Sequence, residues 1–526
     1  MLNQSIKLTY NYGYKWFEKD NVKVKGWVID DSGIVFEDDA LPQYFLDIDS
    51  VEKLKYAIGR ITGHFLVVIK TKSGLLFASD RCRSFTLYYA IENSTFYLSD
   101  SSFLREKIEL NLSSVEEYLS IGFVSGSSTL FKSVNQIELG DIYQFNESAV
   151  NTFPYFQYLT KTFSSLSFSE ACDVFEKVLD KVFIDLIHAL NDRMVVIPLS
   201  GGYDSRLIVA MFRRHGYRNV TCYSFGKNNN PEMIISRKVS DALGYPWYFF
   251  ETTPDVVKNF SETDEFEQYV DFAANAGSFY IIQDYFAVKK MYFDNTIPKN
   301  SVFMPGHSGD TLGGSNFLGL LNGNENSEEI IDKVLKFKYN LSPSSLLQKK
   351  YFRGNIKKQI KDYDGNTNLW FDWFSIRESH SKMFVNAVRV YDFFGYKYFL
   401  PLWDKNIVEF FRKLPVEFKQ NKKLYDHVLE NRIFKPLNVN FIVSNGLKRE
   451  GFLLSFIQAI KCSIKFILPK SIVFRYFAFD PINGKVYAYE LFSAMKKKGV
   501  RMIFSNTNAV KAQWYIRYLE QKTRKS

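Results

Sequence analysis

Cysteine is scarce: four in 526 residues, Cys82, Cys172, Cys222 and Cys462. No two share C-x-x-C spacing and none stands beside a histidine. That argues against a zinc ribbon, a dithiol redox pair and a disulfide framework, and fits a reduced, cytoplasmic chain. Long apolar runs are absent as well. No window offers the roughly 20 uncharged residues that a membrane-spanning helix requires. The most apolar stretch, 453–479, is broken by Lys461, Lys465, Pro469, Lys470 and Arg475. It reads as a buried helical hairpin, with surface contact of a basic amphipathic segment to a membrane left open. The first residues, Met1-Leu2-Asn3-Gln4-Ser5, hold no apolar signal core. Blocks of like charge are confined to Lys496-Lys497-Lys498 and Lys522-Thr523-Arg524-Lys525. The net charge of +10 and pI near 9.0 therefore read as compositional, beside abundant Lys, Asn, Ile, Phe and Tyr. No nucleic-acid partner is expected. Internal repeats and low-complexity tracts are also missing.

What is present suits a large folded protein. With 46% hydrophobic residues there is material for two or three cores. Short apolar runs at 22–29, 65–70, 75–79, 87–91 and 95–98, separated by turns at Gly33, Ser73-Gly74 and Glu92-Asn93, predict a β-rich N-terminal part. The period turns helical from Ser167 to Leu190, placing a boundary near 155–165. Strands at 194–199, 220–225 and 247–251 then alternate with helices. One of these helices opens on Asn230 as cap and Pro231 at its first position, and stops at Gly244. That alternation predicts a parallel sheet covered on both faces. Beyond about residue 255 the pattern is mostly helical and aromatic.

The densest chemistry lies in Pro198-Leu199-Ser200-Gly201-Gly202-Tyr203-Asp204-Ser205. It follows a strand and opens a helix, so backbone N–H groups and a positive dipole end converge on one turn. Ser200 and Ser205 add hydroxyls. Asp204 cannot favour phosphate directly, which predicts a bridging Mg²⁺ and hence a metal-bound nucleotide pyrophosphate. No Gly-Lys-Ser/Thr follows and no third spaced glycine is present, so neither the Walker loop nor the dinucleotide fingerprint applies. Ser-Gly-Gly-x-Asp-Ser resembles the pyrophosphate loop of the ATP pyrophosphatase superfamily. A second unusual segment, Val302 through Gly314, runs from an apolar strand into Gly306-His307-Ser308-Gly309-Asp310.

On these two segments the chain resembles the asparagine synthetase family and its β-lactam-forming relatives. Asp204 and Asp310 match the positions that hold Mg²⁺ on ATP. Thr311 stands where the family usually has Glu, and the loop is one residue shorter after the Asp. Val388-Arg389-Val390-Tyr391-Asp392, Phe399-Leu400-Pro401-Leu402-Trp403-Asp404 and Gly446-Leu447-Lys448-Arg449-Glu450-Gly451-Phe452 resemble later family elements. The match makes Lys448 the expected catalytic lysine. Gly59 through Phe65, Ala78-Ser79-Asp80-Arg81, Leu87-Tyr88-Tyr89 and Phe96 through Asp100 resemble the family's glutaminase domain.

The resemblance implies an N-terminal antiparallel β-sandwich of glutaminase-like Ntn fold over 1–160. An α/β doubly wound parallel sheet with helical additions is expected over 161–455, and a helical extension over 456–526. It implies ATP and Mg²⁺ as cofactors. The expected site is Ser200, Gly201, Gly202, Asp204, Ser205 and Gly309 around the phosphates, with Leu199, Ser224 and Phe225 near the adenine. The implied reaction adenylates a carboxylate, releasing pyrophosphate, then passes the acyl group to ammonia or an amine. Family members with a working glutaminase begin Met-Cys-Gly. This chain begins Met-Leu-Asn and Cys82 is internal, so no glutamine hydrolysis is expected, and a separate glutaminase or an amine must supply nitrogen. Lys397 replaces a family Glu and is expected to face an anionic substrate such as a sugar acid. The pattern also resembles members that accompany bacterial surface-polysaccharide synthesis. Two alternatives stay open: a nucleotide- or partner-binding relative without turnover, and another ATP pyrophosphatase acting on RNA.

Overall fold

The computed structural model describes residues 2–104, 108–160, 162–317, 325–342, 344–360, 365, 367–441, 486–497 and 507–525. Among the described residues eleven strands precede residue 160: β1 (Asn3–Lys7), β2 (Phe17–Lys19), β3 (Val22–Asp30), β4 (Val35–Glu37), β5 (Ile61–Thr71), β6 (Gly74–Ser79), β7 (Tyr88–Glu92), β8 (Thr95–Ser99), β9 (Asn135–Gln136), β10 (Asp141–Asn146) and β11 (Ala149–Pro154). They form two sheets, in the orders β1-β8-β7-β9 and β11-β10-β6-β5-β3-β2, with β4 on β3.

Period-two alternation decides which side chain goes where. From β5 and β6, Leu66, Val68, Leu75 and Phe77 face the smaller sheet, while Phe65, Val67, Leu76 and Ala78 face the other way. On the first side the sheets meet through aromatics. Phe96 stacks on Phe145 with centroids 3.8 Å apart, and Tyr89 reaches Tyr143 at 5.9 Å. On the second side Leu41, Phe45, Leu54 and Ile58, from two short helical segments, cap the sheet. Both faces are thus covered, which is why these strands read as nearly unbroken apolar runs. The small sheet corrects the fully antiparallel expectation: β1 runs parallel to β8, from Asn3 opposite Thr95 to Lys7 opposite Ser99. No hairpin links strands so far apart in sequence, so nothing forces the edge strand to reverse.

The helix Phe168–Leu190 starts with a capping box on Ser167 and Glu170. It leads into β12 (Val195–Pro198), β13 (Val220–Gly226), β14 (Trp247–Glu251), β15 (Val302–Phe303) and β16 (Lys397–Tyr398), a wholly parallel sheet ordered β14-β13-β12-β15-β16. The order turns back on itself between β12 and β15. Ligands of open parallel sheets lie at such a reversal, beyond the carboxyl ends of the strands. Asn230 caps the helix Pro231–Leu243, and Gly244 ends it with φ +71°. The described C-terminal helices, Val486–Lys497 and Thr507–Lys525, pack behind the segment 259–286: Tyr487 OH donates to Gln283 O at 3.0 Å, and Tyr515 OH accepts from Ala276 N at 2.9 Å. No helix among the described residues is long and apolar enough to cross a membrane.

The two parts share one continuous core. Trp27 stacks on Phe399 at 3.8 Å, His64 Nε2 accepts from Leu400 N at 3.0 Å, and Thr62 Oγ1 donates to Asp404 Oδ2 at 2.5 Å. The segment Phe399 to Asp404 is therefore a docking seam for the N-terminal sheets.

Candidate functional site

The reversal between β12 and β15 opens into a cleft of about 580 Å³. One end is built by the turn after β12. Ser200 N donates to Ser205 Oγ at 3.0 Å and Gly202 N donates to Ser200 Oγ at 3.1 Å, so the turn is held by its own hydroxyls. The helix Tyr203–Arg214 then begins without any side-chain cap. Its first N–H groups lack intrahelical partners and stand at the cleft with the positive dipole end. Arg206, fully buried, fixes the turn from behind by donating to Gly201 O at 2.9 Å and to Phe441 O at 2.8 Å.

The loop after β15 closes against this turn. A side chain at Gly306 would collide with the backbone of Asp204 and Ser205, and one at Gly309 would meet the Tyr425 hydroxyl and the Asp204 carboxylate. Glycine thus allows the two loops to touch. The contact brings the two aspartates together: Asp310 N donates to Asp204 Oδ2 at 2.9 Å, and Tyr425 OH donates to Asp204 Oδ1 at 2.8 Å. Burial, and then the charge of Asp310, push the Asp204 carboxyl up to about 7. A cation between the carboxylates would relieve both effects. The donor set is oxygen only. Among the described residues no cluster of three or more metal-ligating side chains occurs. Mg²⁺ fits such a pair, since it takes one or two carboxylates and completes its shell with water and phosphate oxygens.

Lys422 stands on the same wall, bonded to Asp426 at 3.0 Å. Asn421 and Lys422 both adopt left-handed backbone, φ +54° and +58°. Two consecutive non-glycine residues in that region carry strain of the kind found at functional sites. The far end of the cleft is different. Tyr223 OH and Tyr391 OH both donate to Asp284 Oδ2, at 3.0 and 2.8 Å, and burial raises the Asp284 carboxyl above its ordinary value. His307, also on the wall, is held neutral by burial, which lowers it to about 4.

Of the residues expected from sequence, Leu199, Ser200, Gly202, Asp204, Ser205, Ser224, Phe225 and Asp310 line the cleft. Gly201 lies behind it and serves through its carbonyl, and Gly309 serves through its missing side chain. Ser224 Oγ is engaged with Leu199 O and Ser236 Oγ, both at 2.6 Å, so it orders the strand ends. Lys448 and its neighbours 446–452 lie outside the described residues, as does 453–479. Lys397 does not line the cleft, which corrects the expectation that it faces the substrate. Its Nζ pairs with Glu37 at 3.0 Å and Asp38 at 2.8 Å, so its charge is spent on the N-terminal sheets. Arg389 is buried between Phe85 and Phe272, away from the cleft walls. Tyr425, Lys422, Asp426, Asp284 and Tyr223 were not found from sequence. Tyr425 is 221 residues from Asp204, and its surroundings read as an ordinary amphipathic helix.

A parallel α/β sheet with paired aspartates at its switch point is the class of protein defined here. Residues 186–433 match the asparagine synthase family. Asparagine synthetase [glutamine-hydrolyzing] 1 of Bacillus subtilis (strain 168) is 24% identical over 222 residues, 39% of this chain. The match spans about a third of that relative, 35% of its length. Among solved structures, NMN synthetase from Francisella tularensis aligns over 41% of this chain and 96% of its own, at 13% identity and TM-score 0.23. The NH3-dependent NAD synthetase from Campylobacter jejuni aligns over 43% and 96%, at 16% identity and TM-score 0.22.

Proposed function

We propose that the chain is an ATP-dependent amide-forming ligase. One observation carries this reading: the Asp310 backbone amide donates to the Asp204 carboxylate at 2.9 Å where the parallel sheet reverses, beside an uncapped helix start. A carboxylate oxygen of the substrate attacks the α-phosphorus of ATP, and the bond to the leaving pyrophosphate breaks. Ammonia or an amine then attacks the acyl carbon of the adenylate. AMP departs, the nitrogen gives up a proton, and an amide results.

The chain's own contribution is positional and electrostatic. The 200–205 turn and the first N–H groups of Tyr203–Arg214 hold the phosphates. Lys422 offers a cation beside them. Asp204 and Asp310 would hold Mg²⁺, which supplies charge neutralisation on the phosphate oxygens. Tyr425 keeps Asp204 oriented. Lys448 is the proposed stabiliser of charge on the adenylate. Tyr223, Asp284 and Tyr391 line the proposed acceptor end. The proposed nitrogen source is free ammonia or an amine.

Release of AMP from Mg-ATP tests this, with ammonium and a panel of carboxylates that includes aspartate and uronic acids. The expected result is AMP that depends on one carboxylate and falls at least a hundredfold in Asp204→Ala. ATP binding with no AMP from any acid would favour the relative without turnover. AMP that requires tRNA would favour the RNA-directed alternative.

A further inference from the structure

Away from the cleft, the 15-residue helix Leu346–Ile360 carries a two-sided pattern that the ligase reading does not use. Its inner stripe, Phe352, Ile356 and Ile360, is buried against Ile330, Ile331 and Val334. The opposite face presents apolar side chains to water. Leu346 is 86% exposed, Leu347 80% and Tyr351 48%. Adjacent leucines at that exposure are unusual, because each forgoes the free energy of leaving water.

The same helix holds five cations, Lys349, Lys350, Arg353, Lys357 and Lys358, and no acid. Two are neutralised: Arg353 and Lys357 each reach Glu328 at 2.6 Å, and Arg353 also pairs with Asp332. Lys349, Lys350 and Lys358 have no acidic partner among the described residues. Beside them a groove of about 550 Å³ sets Lys336, Lys349 and Lys350 over an apolar floor of Leu335, Tyr339 and Phe352.

We infer that this face docks on an anionic phospholipid surface. The leucines and Tyr351 enter the boundary between headgroups and acyl chains, and the unpaired lysines meet headgroup phosphates. An RNA partner would reward cations and stacking rings but not two aliphatic side chains. The combination of free lysines with exposed leucines matches lipid chemistry on both counts.

The test is sedimentation of the full chain with unilamellar vesicles. Phosphatidylcholine alone should leave it in solution. Phosphatidylcholine mixed with phosphatidylglycerol should carry it down, less so as salt is added. Lys349→Gln with Lys350→Gln and Lys358→Gln should lower partitioning by about a hundredfold. Leu346→Ser with Leu347→Ser should lower it at least tenfold. Each of these side chains is exposed, so both variants should keep the parent's melting temperature. No binding to phosphatidylglycerol vesicles would overturn the inference, as would binding that both variants retain in full. So would tight binding of single-stranded RNA that the leucine variant leaves intact.

Discussion

Tyr425 illustrates how much one hydroxyl carries. It gives Asp204 a hydrogen bond at 2.8 Å inside the protein, where donation to a charged group is worth about 1.5–3 kcal/mol. Tyr425→Phe is expected to lower kcat/KM for Mg-ATP by tenfold or more while leaving the fold intact. Steady-state kinetics with a far-UV spectrum check both halves. Asp284 makes a different prediction. Its carboxyl is raised by burial, so the folded chain holds that proton more tightly than the unfolded chain does. Stability from this group is therefore greatest below the ordinary value of 3.8 and is lost as pH rises through the folded value. Asp284→Asn removes the charge while keeping an acceptor for Tyr223 and Tyr391. Its melting temperature should match the parent at pH 4 and exceed it at pH 8. At this scale the 200–205 turn and both aspartates were legible as cleft residues, because each follows a strand in a glycine-rich loop. The sequence concealed Tyr425, inside a helix, and Lys422 and Asp284, each just before a helix start, because a lone polar residue there has no local signature.

Among elements, the two loops at the sheet reversal are the most constrained. Gly306 touches the backbone of Ser205, and backbone cannot swing aside as a side chain can. Gly306→Ala should cost about 1–3 kcal/mol and separate the aspartates. A fall in melting temperature should accompany a loss of Mg-ATP affinity, read by calorimetry. Strands β3, β6, β7, β8, β12, β13 and β14 were legible within a residue or two, while β5 begins four residues before its apolar run and β1, β2, β4, β9, β10, β11 and the helices Val51–Gly59 and Leu112–Ile121 were not read. Caps and breakers stood where physics requires them: Ser167, Asn230, Pro231 and Gly244. The two-residue strand β15 was read only as an apolar run ahead of a glycine-rich loop, and β16 was not read, since so short a run has no periodicity. Nor could periodicity reveal that β1 lies parallel to β8, because alternation fixes which face a residue takes and not which way the strand runs.

At the scale of the molecule, the seam between the N-terminal sheets and β16 corrects the sequence reading most. Lys397, expected from the resemblance to replace a family Glu, faces Glu37 and Asp38 across that seam. Lys397→Glu would bring three acids together there. The expected outcome is a lower melting temperature with no gain in ammonium-dependent AMP release. A gain in release would move Lys397 into the reaction. The seam was invisible in sequence because its partners are hundreds of residues apart and each reads locally as core.

That separation has a consequence during synthesis. Tyr14 N bonds to Asp392, 378 residues downstream, and Trp27 waits for Phe399. A ribosome adding about 5–20 residues each second needs roughly 20–80 seconds to supply the missing face. For that interval the nascent N-terminal sheets hold Tyr14, Trp27 and Phe85 without their cover. A growing chain of this kind calls for a holding chaperone, and slowing translation before residue 400 should make it aggregate more.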